Sequence, residues 1–169
     1  ISTGFPAIIM SESIKPMQQP TQKRGTVLVV DDEAPVRSIA VNMLRFMGFE
    51  VLEAGDGQQA LDVIQRSGSL LDVILLDIYM PKLSGRDTFK QMRAQGNNTP
   101  VVVCSGFVLD PDEFIVLSQG RTPPVDIMLK PYSLEALTRA INKALAISGE
   151  QKMSPAVVGS TMREPVLTA

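Results

Sequence analysis

Three aspartates, a serine and a lysine stand at positions of this chain where they could do chemistry together. Asp31 and Asp32 follow the apolar run Val27–Val30, and Asp77 follows Val73–Leu76. Ser105 follows Val101–Cys104, and Lys130, with Pro131 behind it, follows Val125–Leu129. Short β-branched and aliphatic runs bounded by polar residues or glycine read as strands. In an open parallel sheet, ligands bind beyond the carboxyl ends of the strands. Taken singly, each residue has an ordinary reading. Asp32 could cap the helix that starts near Pro35, Ser105 could turn the chain, and Lys130 could be a solvated charge. Asp77 is harder to dismiss, because a carboxylate beside a buried strand is costly without a partner. Three carboxylates at one edge, opposed by a single ammonium, favour a cation. Ligands that are all oxygen suit Mg²⁺, with Mn²⁺ also acceptable. Such an ion, with Lys130, brings the edge near neutrality, and a dianionic phosphoryl group is then attracted rather than repelled.

Composition narrows the chemistry further. The 169 residues contain no histidine and one cysteine, Cys104. Serine–histidine and cysteine–histidine nucleophile systems, zinc sites rich in those residues and an internal disulfide are all excluded. Any phosphoryl transfer must use a residue other than histidine. Cys104 lies in an apolar run and reads as a small buried hydrophobe in a reducing cytoplasm. With 16 basic and 18 acidic residues the formal charge is −2, and that near balance gives no argument for a nucleic-acid surface. No apolar run approaches the roughly 20 residues that span a bilayer, and the N-terminus does not read as a secretory signal. The first residue, Ile1, is not Met, which fits a piece of a longer chain.

The elements that must position the site alternate regularly. The strand candidates are the four runs above and Val51–Ala54, which leads into Gly55-Asp56-Gly57. Their nearly continuous hydrophobicity implies burial on both faces, as in a parallel sheet. Between them lie amphipathic segments. Val36, Ile39, Ala40, Met43, Leu44 and Met47 form a helical stripe that Gly48 stops. Ala60, Leu61 and Ile64 mark a second helix, and Phe89 and Met92 a third, with Ser84 as N-cap. Asp110-Pro111 opens a fourth, and Ser133 a fifth with the stripe Leu134, Leu137, Ile141 and Leu145. Five such β-α units predict a doubly wound α/β fold, a five-stranded parallel sheet with helices on both faces. Residues 1–24 and 149–169 carry prolines and no sustained period. They read as a linker or arm and a flexible tail around a domain spanning 25–148.

With these residues in place, the chain resembles the response-regulator receiver domains of bacterial two-component signalling. The resemblance rests on five motifs in order: Val27-Leu28-Val29-Val30-Asp31-Asp32-Glu33, Leu75-Leu76-Asp77-Ile78-Tyr79-Met80-Pro81, Ser84-Gly85, Ser105-Gly106 and Lys130-Pro131-Tyr132. It implies a flavodoxin-like fold with strand order 2-1-3-4-5. It also implies that Asp77 is the phosphoacceptor, taking a phosphoryl group from the phosphohistidine of a sensor histidine kinase or a histidine phosphotransfer protein. Asp31 and Asp32 match the acidic pair that holds Mg²⁺, Asp32 directly and Asp31 largely through water, with Asp77 and the backbone carbonyl of Tyr79 as further ligands. Lys130 matches the lysine that pairs with Asp77 and then with the phosphoryl group. Ser105 matches the hydroxyl that bonds that group and moves its loop, and Pro131 matches a cis proline. Such a domain promotes its own phosphorylation and dephosphorylation and turns over no external substrate.

Two departures from the family pattern stand out. The aromatic switch residue usual three positions before the lysine is here Ile127. Phe107 or Tyr132 is then expected to carry the signal, or the output surface changes little. The stretch from Ser105 to Lys130, with Gly120-Arg121-Thr122-Pro123-Pro124, is a few residues long, so the fourth helix and its exit are expected to differ. Tyr79 and Phe107 lie two residues beyond Asp77 and Ser105, positions that in the family often tune hydrolysis, so their large side chains are expected to hinder an attacking water and slow dephosphorylation.

The run Met80 to Asp87 and the Ser105-Gly106-Phe107 turn are most like receivers of hybrid sensor histidine kinases. A stand-alone single-domain regulator and a degenerate receiver acting only as a binding module are the alternatives. A haloacid-dehalogenase-like phosphatase wants a second aspartate where Tyr79 stands. A flavodoxin-like flavin protein wants a Ser/Thr/Gly phosphate loop where Asp31-Asp32-Glu33 stand. The C-terminal stretch is too short for a helix-turn-helix module, so no direct nucleic-acid contact is expected. A homodimer stays open, and the cytoplasm is the expected location.

Overall fold

A computed structural model describes residues 24–153. The arm read over 1–24, apart from Arg24, and most of the tail read over 149–169 fall outside the described residues. Five strands and five helices alternate: β1 (Thr26–Val30), α1 (Ala34–Phe46), β2 (Glu50–Ala54), α2 (Gly57–Ser67), β3 (Val73–Asp77), α3 (Gly85–Ala94), β4 (Val101–Ser105), α4 (Pro111–Leu117), β5 (Asp126–Leu129) and α5 (Leu134–Met153). A single 3₁₀ turn, Gly68–Leu70, precedes β3. All four strand pairings are parallel, and the order is β2-β1-β3-β4-β5. The predicted doubly wound sheet and its order are thus observed. Helix α5 continues to Met153, past residue 148 where the sequence reading ends the domain.

The central strands β1, β3 and β4 are buried throughout, with side chains alternating between two covered faces, whereas edge strand β2 leaves Glu50 and Glu53 exposed. On one face Val27, Val29, Val73, Leu75, Val102 and Cys104 pack against Ala40, Val41 and Leu44 of α1 and Leu137, Ala140 and Ile141 of α5. On the other, Leu28, Val30, Ile74, Leu76, Val101 and Val103 meet Ala60, Leu61 and Ile64 of α2, Phe89 and Met92 of α3, and Phe114 of α4. β5, at the sheet edge, is only partly buried, unlike the continuous burial its hydrophobicity implied. The α1 stripe is also narrower than its sequence pattern. Ala40, Val41 and Leu44 are buried, whereas Ile39 is exposed. A helix rotates about 100° per residue, so a broad apolar stripe has edges that overhang the core, and Ile39 lies on such an edge.

Helix starts follow the local chemistry. Ser84 Oγ accepts from the Asp87 amide at 3.2 Å, Asp110 caps α4 ahead of Pro111, and Ser133 Oγ accepts from the Ala136 amide at 3.1 Å. The N-cap of α1 is Glu33, without a side-chain cap bond, so Asp32 does not serve as the cap that its sequence position allowed. Asp56, between the two glycines that follow β2, caps α2. It accepts from the Gln59 amide at 2.9 Å and from Lys82 Nζ at 3.2 Å. Lys82 adopts a left-handed backbone conformation, φ 67°, so this bond ties the loop after β3 to the loop after β2.

One charged side chain lies wholly inside. Arg93 of α3 donates to the carbonyl oxygens of Thr122 (2.6 Å), Asn97 (2.9 Å) and Thr99 (3.1 Å), with its guanidinium over the Phe89 ring at 4.6 Å. Burial, with Arg121 nearby, pulls its pKa down to about 10, which leaves it charged at neutral pH. It fastens the Gly120–Pro124 stretch to α3. That stretch follows an α4 of only seven residues, in keeping with the altered exit expected from its length.

The Asp56 cap yields a measurable expectation. Asp56→Ala should lower stability in urea by about 1–2 kcal/mol, the range for loss of an N-cap, and Asp56→Asn by less. The Gln59 amide chiefly, and Lys82 after it, hold the Asp56 carboxyl below its ordinary 3.8 against the opposing effect of burial. Its contribution is therefore full above about pH 4 and fades as the pH falls through the lowered value. Asp56→Asn should flatten that part of the stability–pH curve.

Candidate functional site

The parallel register brings the strand exits together. Val30 at the end of β1 pairs with Leu76, Asp77 pairs with Cys104, and Ser105 pairs with Leu129. Asp31, Asp77, Ser105 and Lys130 therefore emerge side by side at one edge of the sheet. Backbone bonds lock the exits: the Ile78 amide donates to the Cys104 carbonyl at 3.1 Å and the Lys130 amide to the Ser105 carbonyl at 2.7 Å. The Lys130–Pro131 peptide is cis, as the resemblance implied.

Lys130 joins the two deepest carboxylates. Its Nζ donates to Asp31 Oδ2 at 2.6 Å and to Asp77 Oδ2 at 2.7 Å. The three side chains are 16%, 6% and 7% exposed respectively, so these are nearly dry ion pairs. Burial alone lowers the lysine pKa, but hydrogen bonds and charge from Asp31 and Asp77 outweigh it, and the net shift is upward. The sequence reading paired Lys130 with Asp77 and missed Asp31. The second oxygen of each carboxylate and the serine hydroxyl each accept a backbone bond. Asp31 Oδ1 accepts from the Glu33 amide at 2.9 Å, Asp77 Oδ1 from the Tyr79 amide at 3.3 Å, and Ser105 Oγ from the Phe107 amide at 3.0 Å. Arg37 donates to the Asp31 carbonyl from α1.

Asp32 is half-buried beside them. Carboxylate oxygens of Asp31, Asp32 and Asp77 lie within 4.8 Å of one another. This close, all-oxygen donor set fits a hard divalent cation such as Mg²⁺ and offers no soft ligand that would favour zinc or copper. Cys104 and Tyr132 border the site, and burial pushes both of their pKa values upward. Neither is ionised near neutrality, so Cys104 supplies no thiolate nucleophile.

A cavity of about 440 Å³ opens above the site, lined among others by Asp77, Lys130, Tyr79, Phe107, Tyr132 and Ile39. The backbone after Asp77 is closely packed. At Gly85, the first residue of α3, an added Cβ would overlap the carbonyl oxygen of Asp77. Only glycine lets the helix start this near the strand exit, which accounts for the Ser84-Gly85 pair.

Comparison with known proteins decides the family. The response regulator receiver domain model matches residues 27–142. The chain belongs to the response-regulator receiver family. The receiver is 36% identical over 120 residues to the sensory transduction protein RegX3 of Mycolicibacterium smegmatis, covering 71% of this chain and 50% of that protein. It is 35% identical to the transcriptional regulatory protein CpxR of Escherichia coli K12, covering 70% of this chain and 48% of that one. Sensor histidine kinase CheAY of Helicobacter pylori matches at 28% identity over 85% of this chain and 18% of its own. The chain thus spans about half the length of the first two relatives. Among solved structures, a receiver domain from Clostridium thermocellum superposes with a TM-score of 0.66 at 27% identity, covering 75% of this chain and 98% of that one. A CheY-like receiver from Methanospirillum hungatei gives 0.65, with the same identity and coverage. Receivers of this family act in two-component signalling. No helix among the described residues is long and apolar enough to cross a membrane.

Lys130→Met tests the ion pairs directly. Leaving Asp31 and Asp77 buried without their counter-charge should cost about 3 kcal/mol in thermal or urea unfolding without divalent ions. Millimolar Mg²⁺ should restore more stability to this variant than it adds to the wild type.

Proposed function

We propose that Asp77 accepts a phosphoryl group from a phosphohistidine, with Asp31, Asp32, Asp77 and the Tyr79 carbonyl holding Mg²⁺. The observation that carries this reading is the Lys130 ammonium set between Asp31 and Asp77 beside the Ser105 hydroxyl. The Asp77 carboxylate attacks phosphorus, an O–P bond forms, and the N–P bond of the donor breaks with its electron pair left on the imidazole nitrogen. When bound, the metal supplies positive charge to the phosphoryl oxygens. Lys130 is positioned to transfer its hydrogen bond from the Asp77 carboxylate to a phosphoryl oxygen. The Ser105 hydroxyl is positioned to donate to another, which would draw in the loop carrying Phe107. These groups sit on the ends of a rigid sheet, so the site needs little rearrangement before transfer.

The donor is a sensor histidine kinase or a histidine phosphotransfer protein, and the cytoplasm is the compartment that fits. We read the domain as one module of a longer protein, a hybrid sensor histidine kinase. The CheAY match, which takes in most of this chain and a small share of that kinase, supports this. The RegX3 and CpxR matches favour a second reading, a response regulator whose output region lies outside these residues.

Incubation with acetyl phosphate and Mg²⁺, followed by intact-protein mass measurement, should show one phosphoryl adduct. Asp77→Asn and EDTA should each abolish it. If neither acetyl phosphate nor a phosphorylated histidine kinase yields an adduct on the folded protein, the domain is a binding module without phosphoacceptor activity.

A further inference from the structure

Two large aromatic side chains stand half or more in solvent beside the acceptor, Tyr79 at 50% exposure and Phe107 at 66%. Both line the cavity over Asp77. Their backbones are tied to the reacting groups, since the Tyr79 amide donates to Asp77 Oδ1 and the Phe107 amide to Ser105 Oγ. A ring so exposed samples several rotamers unless something holds it. Here the two rings meet edge-on, with centroids 5.5 Å apart and planes at 80°. Tyr79 also has the Arg86 guanidinium over its ring, 5.3 Å from the centroid. Arg86 is itself anchored, because its Nε donates to Glu113 Oε1 of α4 at 2.6 Å. Its hydrogen bond to Glu113 raises its pKa above the ordinary value despite partial burial, so the cation is permanent. One continuous chain of contacts therefore runs from α4 through Arg86 to the rings at the mouth of the site.

We propose that Arg86 and Glu113 are positioning residues that hold the Tyr79 ring against Phe107 over Asp77, and thereby set how fast water removes the phosphoryl group. This rests on the proposed function, because it concerns the aspartyl phosphate formed there. In that hydrolysis a water oxygen bonds to phosphorus and the bond from phosphorus to the Asp77 oxygen breaks. The carboxylate keeps the electron pair, and inorganic phosphate and a proton leave. Attack must come from the side opposite the breaking bond, through the open cavity, and a ring held in place there obstructs it. With the anchor cut, Tyr79 regains its other rotamers and water gains access. The link also runs the other way: a partner that shifts α4 changes the phosphoryl lifetime without touching Asp77. Such a link does not need an aromatic residue at Ile127, which is partly buried against the core beneath α4.

The test is the decay of the phosphoryl adduct, followed by intact mass after the donor is removed, in Mg²⁺. Arg86→Ala and Glu113→Ala should each speed decay by about two- to fivefold, the range expected from a half-exposed cation–π contact. Arg86→Lys should fall between them and wild type. Asp112→Asn removes a neighbouring charge from the same first turn of α4 but not the Arg86 partner, and should decay as wild type does. In a Tyr79→Ala background, Arg86→Ala should add nothing, because the group it positions is gone. Urea unfolding of each variant shows that it is folded at the assay temperature. Unchanged decay in both Arg86→Ala and Glu113→Ala overturns the proposal. So does an Arg86→Ala effect that persists in full without the Tyr79 ring, or acceleration by Asp112→Asn equal to that by Glu113→Ala. A wild-type protein that takes no phosphoryl group fails earlier and overturns the parent reading instead.

Discussion

The arrangement depends on two carboxylates that cannot be buried alone. Asp31 and Asp77 stand at the ends of neighbouring strands, each less than a tenth exposed, and a buried carboxylate is costly without a nearby cation. Lys130 resolves this by reaching across from the end of β5 to both. The charge therefore comes from the opposite end of the chain order, 99 residues from Asp31 and 53 from Asp77. That reach is available only if β1, β3, β4 and β5 lie in the observed order and register. The ion pairs and the topology thus require each other: the sheet makes the pairs geometrically available, and the pairs make the polar edge of the sheet tolerable.

The same edge shows how a buried ion pair can serve exchange rather than stability alone. Buried pairs contribute little net free energy when their desolvation is counted. Here Lys130 uses two of its three donor protons on groups that also lie within reach of a shared cation. Three carboxylates and one ammonium leave the edge net negative, and a dication there would bring it near neutrality before a dianion arrives.

Much of this was legible in the sequence, for identifiable reasons. Five apolar runs, four of them followed by a residue with chemical capacity, expose both the sheet and its candidate site edge, because strand hydrophobicity and strand-end placement are local properties. Cap residues such as Ser84 and Asp110 are equally local. What escaped was tertiary. The Lys130–Asp31 pair and the Arg86–Glu113 bond join residues far apart whose types are common on any surface. Arg93, set four places after Phe89 on an amphipathic helix, carries no signal that it is buried, since an arginine there normally points to water. Its partners are backbone carbonyls, which every sequence contains. Ile39 was misplaced for the opposite reason: periodicity identifies a stripe but not where the core beneath it ends.

The glycine at the head of α3 has a mechanical meaning. With no clearance between Gly85 and the carbonyl of Asp77, the strand exit and the helix abut like a piston and its rod. A helix of ten residues is about 15 Å long and resists bending over that length. Its far end carries Arg93, gripping the carbonyls of Asn97, Thr99 and Thr122. The helix thus joins the peptide after Asp77 at one end to the segment leading into β5 at the other.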